Sequence, residues 1–572
     1  MSATGAEGER DQPPEASAHL VARDVVRALV AGGVRDVVLA PGSRSAPLAH
    51  ALHSAERAGW LRLTVRVDER VAAFVALGLS RAGELEAPAG LEPARARRPV
   101  AVVTTSGTAV ANLHPAVLEA DAAGVPLVLL TADRPHELRG TGANQTTDQV
   151  GLFGPALRHL VDVPADAPAG PPLTQHVARA LAAATGARTR EPGPVQLNLG
   201  FREPLAPERT WVPGQAPAVR PVARPDHARS SVPLGRGPRT VVVAGDGAGP
   251  EARRLAERGG WPLLAEPTSG SRGGRCAVSA YRELLDLAQL GGRVQRVVVA
   301  GHPTLSRPVT RLLAREDLEL VVASPSGRWP DAAGTARTVA AGFDVEGQPG
   351  PDEQAWLDLW LDAGRSVVAR LAHPAAGPPD DGTLDALATA AVVAGAARHS
   401  GTLVLGASRV VRDIDLVGQP WMDPVPHVLS NRGLAGIDGT ISTAVGLARG
   451  TGRPVRVLLG DLTLLHDVGG LLLGALEDDV DVQVVVADDS GGAIFALLGH
   501  ADASPDGFAR LFTTPQLADL EALARGYGAD YRAPRTLDEL QAVLAAPILG
   551  RSVVHVRIGE RRAETSRARS LI

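Results

Sequence analysis

The feature that most constrains the fold of this chain is a unit that recurs along it: a short apolar run, a turn rich in glycine, serine or proline, then a helix-like stretch. Asp36 to Ala40 leads into Pro41-Gly42-Ser43-Arg44-Ser45, and Leu63 to Val67 into a helical pattern from Glu69 to about Ala82. Val100 to Thr104 leads into Ser106-Gly107-Thr108 and a helix to about Ala122; Val125 to Thr131 leads into Ala132-Asp133-Arg134-Pro135, and Pro194 to Leu199 closes the unit. Apolar runs without steady polar alternation suit strands covered on both faces. Strands that alternate with helices imply a parallel sheet with helices on each side.

The same grammar returns twice. A second unit runs through Thr240 to Ala244, Val297 to Gly301 and Leu318 to Ala323; a third opens with a helical run, Leu384 to Arg398, and has strands at Leu403 to Leu405, Val455 to Leu459, Val482 to Ala487 and Ser552 to Val556. Stretches rich in proline, Pro204 to Pro238 and Pro374 to Gly382, read as linkers. The expected division is a tail over 1–17, domains over 18–203, 239–372 and 373–572, and a linker over 204–238. The fold class is α/β, three doubly wound parallel-sheet domains, which suits a chain of 572 residues. No short-period sequence repeat is visible.

Composition removes several classes of function. A formal net charge of -5 speaks against a nucleic-acid or anionic-membrane partner. The longest apolar runs, such as Val125 to Leu130 and Leu471 to Leu473, are too short to span a bilayer, and the first 17 residues lack an apolar signal core, so a cytoplasmic protein is expected. The single cysteine, Cys276, can form no intrachain disulfide. All 58 basic residues are arginine. A coding bias accounts for that, yet it excludes a Schiff-base lysine, a pyridoxal-phosphate anchor and a P-loop lysine.

In doubly wound sheets ligands sit at the carboxyl ends of the strands. There, Gly460-Asp461-Leu462 follows one strand of the third unit and Asp488-Asp489-Ser490-Gly491-Gly492 follows the next. Asp461 and Asp489 are 28 residues apart, the length of one helix between two adjacent parallel strands. Two carboxylates at neighbouring strand ends can hold a hard cation, a diphosphate can help complete its octahedron, and glycines such as Gly491 let a carbonyl face the metal. Taken singly, each acidic turn is ordinary. The pair is less so, with Asn431-Arg432-Gly433 and Gly436-Ile437-Asp438-Gly439 upstream.

This spacing resembles the thiamine-diphosphate motif, which opens Gly-Asp-Gly or Gly-Asp-Leu and closes in Asn-Asn about 30 residues on; Asp489 stands at the metal-binding asparagine of that ending. Further segments are similar to a family of the menaquinone pathway, the 2-succinyl-5-enolpyruvyl-6-hydroxy-3-cyclohexene-1-carboxylate synthases. They are Pro41 to Ser45, Asp68-Glu69-Arg70, Thr105 to Asn112, Thr131 to Pro135, Gly142-Ala143-Asn144-Gln145 and Ser430 to Gly433. The resemblance runs from about residue 18 to 560 and is weakest in the middle unit.

It implies pyrimidine-binding, central and diphosphate-binding domains, thiamine diphosphate with Mg²⁺ or Mn²⁺, and active sites between the subunits of a homodimer or homotetramer. By motif match, Asp461, Asp489 and Gly491 bind the metal, and Gly460, Leu462, Gly492 and Ile494 line the cofactor. Ile437 bends the cofactor, and Glu69 hydrogen-bonds its pyrimidine and favours the tautomer that takes the reacting proton. The substrates implied are 2-oxoglutarate, decarboxylated to a four-carbon carbanion, and isochorismate, attacked by 1,4-addition. Both are dicarboxylates, and arginine forks bind carboxylates bidentately. The match gives Ser43, Arg44, Arg134 and Gln145 to isochorismate, Ser408, Arg412 and Arg432 to the oxo acid, and Phe495 and Leu498 to an apolar wall. Arg307 falls where the family often has a basic contact, but Pro308 follows it.

Two other readings stay open. A different thiamine-diphosphate carboligase or decarboxylase, such as an acetohydroxyacid synthase, would use the same cofactor residues; a non-catalytic paralogue would keep the fold. No His-x-x-x-His spacing appears, and His302 and His466 have no role at this level.

Overall fold

A computed structural model describes residues 16–87, 93–222, 231–371, 382–492, 494–495 and 505–559. In the first domain, strands β1 (Asp36–Leu39), β2 (Arg62–Val65), β3 (Val100–Thr104), β4 (Leu127–Asp133), β5 (His159–Val163) and β6 (Val195–Gly200) form one parallel sheet, ordered β2-β1-β3-β4-β6-β5. The pleat explains why its inner strands are apolar throughout. Val37, Leu39, Ala101 and Val103 pack in one cluster with helices Ser17–Ala31 and Pro171–Ala184. Val38, Val100, Val102 and Leu127 pack in another with helices Glu69–Leu85 and His114–Ala123.

The central domain holds β7 (Ser231–Pro233), β8 (Thr240–Ala244), β9 (Leu263–Ala265), β10 (Arg296–Ala300), β11 (Glu319–Ala323), β12 (Thr338–Ala340) and β13 (Gly342–Asp344). Its sheet runs β12-β11-β10-β8-β9, with β7 and β13 paired separately. The third domain holds β14 (Thr402–Leu405), β15 (His427–Leu429), β16 (Val455–Gly460), β17 (Val482–Asp488), β18 (Asp530–Arg532) and β19 (Arg551–Arg557), ordered β15-β14-β16-β17-β19-β18. Numbered within its own domain, this is 2-1-3-4-6-5, the order of the first sheet; the central sheet reads 2-1-3-4-5. The chain is a topological repeat that leaves no periodicity in its sequence. In each sheet the winding reverses between the first and third strands, which opens a crevice at their carboxyl ends.

The interior strands fall within about two residues of their expected positions. The strands that sequence reading passed over, β5, β7, β9, β12, β13, β15 and β18, all lie at sheet edges, β7 and β13 being the two strands of the separate pair. They are short or half-exposed, as in β5 and β18, and so carry no long apolar run. The Ser17–Ala31 helix starts on the last residue assigned to the tail; residues 1–15 lie outside the described residues, as does most of the Pro374 to Gly382 stretch. The stretch read as a linker over 204–238 begins as a strap on the first domain. Trp60 Nε1 donates to Gly214 O at 3.2 Å, Arg220 N donates to Ala31 O at 2.7 Å, and Trp211 meets Trp60 edge-on. Its end supplies β7.

The first and third domains share one apolar cluster. The Glu69–Leu85 helix lies along the Thr440–Thr451 helix at a distance only glycine allows: a Cβ on Gly78 would stand 2.1 Å from Thr443 O, and one on Gly446 2.2 Å from Val75 O. Among the described residues no helix is long and apolar enough to cross a membrane.

Candidate active site

The carboxyl edge of the third sheet concentrates negative charge. Gly460 ends β16 beside Ala487 of β17, so the Asp461 and Asp489 turns are neighbours. Asp461 opens a short helix, Asp461–His466, and is 5% exposed. Burial pushes its carboxyl up to about 7, and the Asp489 and Asp488 carboxylates add to this against hydrogen bonds from the N–H groups of Leu462 and Gly491. Asp488 has its own partners: His555 Nε2 lies 2.7 Å from one carboxylate oxygen, and Ser490 N donates to the other at 2.9 Å. Gly491 and Gly492 are buried under Thr513; Gly491 has φ +133°, and a Cβ there would stand 2.1 Å from Thr513 O. A divalent cation would relieve the crowding of Asp461 and Asp489. No group of three His, Cys, Asp or Glu side chains among the described residues could hold a metal alone. The donor set therefore fits an ion that takes the rest of its shell from a backbone carbonyl and a bound diphosphate.

Beside this edge lies a pair of arginines. Ser408 precedes the Arg409–Val417 helix at the end of β14, the strand next to β16. Arg412 folds back, its Nη1 donating to Ser408 O at 2.7 Å. Burial, then Arg432 and Arg282, pulls the Arg412 guanidinium down to about 10. Arg432 is 2% exposed; Nη2 donates to Thr304 Oγ1 at 2.8 Å, while Nε and Nη1 are buried without an acceptor among the described residues. Buried donors of a charged fork are costly to leave unmatched, and a carboxylate matches them.

The first sheet carries a second cationic edge. Arg44, after β1, is 6% exposed; Nη1 donates to Phe201 O at 2.8 Å and Nε has no protein acceptor. Burial and then Arg134 lower its pKa, so the two guanidinium groups crowd each other. Arg134 follows β4, its own Nε buried and unmatched. Gln145, in the left-handed region at φ 55°, is locked to Ser106 by two 2.9 Å hydrogen bonds, and Ser43 is exposed nearby in sequence beside Arg44. Glu69 opens its helix behind the Asp68 cap, half-buried, with Asn112 Nδ2 3.4 Å from Oε2.

Comparison with known proteins follows these two edges. Residues 20–152 match the thiamine pyrophosphate enzyme N-terminal TPP binding domain, and residues 416–558 the C-terminal TPP binding domain. The 2-succinyl-5-enolpyruvyl-6-hydroxy-3-cyclohexene-1-carboxylate synthase of Kineococcus radiotolerans is 50% identical over 547 residues, covering 93% of this chain and 94% of that one. The chain belongs to this synthase family. The synthase of Nocardioides sp. is 47% identical over 98% of this chain and 99% of its own. A benzoylformate decarboxylase from Polynucleobacter necessarius shares the fold, with a TM-score of 0.64 at 20% identity over 94% of this chain and 98% of that one.

Within this synthase the predicted residues fall into groups. Asp461, Leu462, Asp489, Gly491 and Gly492 share one sheet edge with Ser408; Arg412 and Arg432 adjoin it; Ser43, Arg44, Arg134 and Gln145 occupy the first sheet's edge. Ile437 is half-buried on the loop before the Thr440–Thr451 helix. Ile494 and Phe495 are half-buried, with the Phe495 ring 5.7 Å from that of Phe512. Leu498 lies outside the described residues. Arg307 is exposed at the head of the Arg307–Leu313 helix, three residues past Thr304.

His466 gains a structural role, its carbonyl accepting from Arg70 Nη2 at 2.8 Å. Sequence reasoning passed over three contributors: Asn112 against Glu69, Thr304 on Arg432, and Glu119. Asn112 stood inside a quoted motif. Nothing local marked the other two, whose partners are more than a hundred residues away.

Proposed function

We propose that this chain converts 2-oxoglutarate and isochorismate to 2-succinyl-5-enolpyruvyl-6-hydroxy-3-cyclohexene-1-carboxylate and carbon dioxide, a step of menaquinone biosynthesis, with thiamine diphosphate held through Mg²⁺ or Mn²⁺. The observation that carries the reading is that two opposite charge sets follow neighbouring strands at one edge of the third sheet. Half-buried Arg412 follows β14 and buried Arg432 follows the neighbouring β15, while the Asp461–Asp489 pair stands past β16 and β17. A dicarboxylic oxo acid and a metal diphosphate fit side by side there.

When bound, thiamine diphosphate supplies the nucleophilic carbon and takes up the electron pair left by carbon dioxide. The chain's own residues do the rest. Asp461 and Asp489, with the Gly491 carbonyl, hold the cation; Gly460, Leu462, Gly492, Ile437 and Ile494 shape the cofactor cradle. Glu69 hydrogen-bonds the pyrimidine and favours the tautomer that takes the reacting proton, with Asn112 Nδ2 beside its carboxyl. Arg412 and Arg432 neutralise the oxo acid, with Ser408 and Arg307 at its rim, and Phe495 and Leu498 keep water from the reacting carbons. Arg44 and Arg134 bind isochorismate, with Ser43 and Gln145 as neutral hydrogen-bonding partners. Glu69 and the isochorismate arginines belong to one domain, and the cation carboxylates to another. The family resemblance supports a site that closes between two copies of the chain.

The test is a two-substrate assay after titration with thiamine diphosphate and Mg²⁺. Carbon dioxide release from 2-oxoglutarate should be fast only with isochorismate present. Equal turnover of pyruvate, which lacks a second carboxylate for the arginines, would favour an acetohydroxyacid-synthase-like carboligase instead.

A further inference from the structure

The loop that carries Arg432 is gripped from outside its own domain. Glu119, on the His114–Ala123 helix of the first domain, is 4% exposed. Its two carboxylate oxygens accept separately from Gly433 N at 2.8 Å and Leu434 N at 2.7 Å, the two peptide groups that follow Arg432. A Cβ on Gly433 would stand 2.9 Å from Glu119 O, so helix and loop are in close contact. On the other side of Arg432, Arg81 of the first domain donates to Ser430 O at 2.7 Å. Arg81 is itself braced by Glu84 at 3.0 Å, and Glu84 by Arg97 at 2.6 Å. Between these grips Asn431 Nδ2 donates to Thr443 Oγ1 at 3.2 Å.

A buried carboxylate is an expensive way to satisfy two amides unless the position of those amides matters. Both oxygens are committed, one per amide, so the loop has two fixed points immediately after Arg432. Among the described residues Thr304 is the side-chain partner of the Arg432 guanidinium, at one nitrogen, so its place depends on its backbone. The helix bearing Glu119 begins two residues after Asn112, the partner of Glu69.

We propose that Glu119 is a positioning residue: a first-domain carboxylate that sets where Arg432 of the third domain meets the oxo acid, and so ties that contact to the Glu69 side of the molecule. The proposal rests on the reading of Arg432 as an oxo-acid contact. It predicts that Glu119 acts through Arg432 and on one substrate only.

The experiment is a double-mutant cycle on the holoenzyme with both substrates varied. Arg432→Ala should raise the KM for 2-oxoglutarate about a hundredfold, and Glu119→Gln, which turns one acceptor into an N–H₂ facing an amide, about tenfold. KM for isochorismate and thiamine-diphosphate affinity should stay within about twofold, and Glu119→Gln in the Arg432→Ala background should add nothing further. If Glu119→Gln does not fold, Glu119→Asp, which keeps both oxygens on a shorter stem, is read the same way. An unchanged KM in Arg432→Ala overturns the reading of Arg432 and the proposal with it. A raised KM in Arg432→Ala, together with a Glu119 effect that multiplies onto it, touches both substrates equally or changes only the melting temperature, overturns the positioning role alone.

Discussion

The first and third sheets have the same strand order, and at its carboxyl edge each crowds a like-charged pair of opposite sign. Past β1 and β4 the first sheet holds Arg44 against Arg134; past β16 and β17 the third holds Asp461 against Asp489. In both, burial and a like-charged neighbour work against the ionised form, lowering the Arg44 pKa and raising that of Asp461. One scaffold thus stores electrostatic strain of either sign, and a ligand of the opposite sign relieves it. The difference lies in the turns and in which strands they follow: a Pro-Gly-Ser-Arg turn after the first strand of one sheet and a Gly-Asp-Leu turn after the third strand of the other. What the fold fixes is the place where charge is gathered; the turn residues choose what it gathers.

The comparison can be broken most directly at its two carboxylates. Asp461→Ala should abolish Mg²⁺-dependent thiamine-diphosphate binding, read by calorimetry, and activity with it. Glu69→Gln should keep cofactor binding and the melting temperature while kcat falls about a thousandfold. If both variants lose cofactor binding alike, the two edges do not divide the work. A smaller effect is expected on the cationic side: Arg44→Ala should raise the KM for isochorismate by about a hundredfold and leave that for 2-oxoglutarate in place. A shift in both would show that the arginine sets are not separate sites.

The joint between the two sheets comes next. Gly78→Ala puts a Cβ against Thr443 O, and should lower stability by about 3 kcal/mol in thermal or denaturant unfolding while leaving substrate preference alone. A further effect is in pH. Burial raises Asp461 to about 7, Asp467 to about 6 and Glu266 to about 8. Folded protein therefore holds protons that the unfolded chain, with ordinary carboxyls near 4, has released. The stability these groups contribute is complete below about pH 4 and is lost as pH rises through 6 to 8. Glu84 has the opposite sign: burial alone would raise it, but Arg81 and Arg97 hold it at about 2, so its contribution is lost as pH falls from about 4.5 toward 2. The melting temperature of cofactor-free protein should therefore fall between pH 5 and 8. Mg²⁺ with thiamine diphosphate should flatten the Asp461 part of that slope. A rise across the same range would contradict the buried, proton-holding state of these three carboxyls.

The sequence by itself determined whatever is local. Apolar runs such as Val100 to Thr104 and Val482 to Ala487 read as strands and are inner strands, buried on both faces. The turns after them show the candidate residues in plain view, from Arg44 and Glu69 to Asp461 and Asp489. Edge strands such as β5 and β18 were hidden because one side of an edge faces water and tolerates any composition. Only the tertiary structure decided the rest. It revealed three sheets wound in nearly one order, the glycine contact of Gly78 with the Thr440–Thr451 helix, the crowding of Arg412 against Arg432, and the grip of Glu119 on a loop 314 and 315 residues further along. Each of these is a contact between segments with no sequence signal in common. The energy that fixes them comes from close packing and from matching buried polar groups, and neither exists until the domains have met.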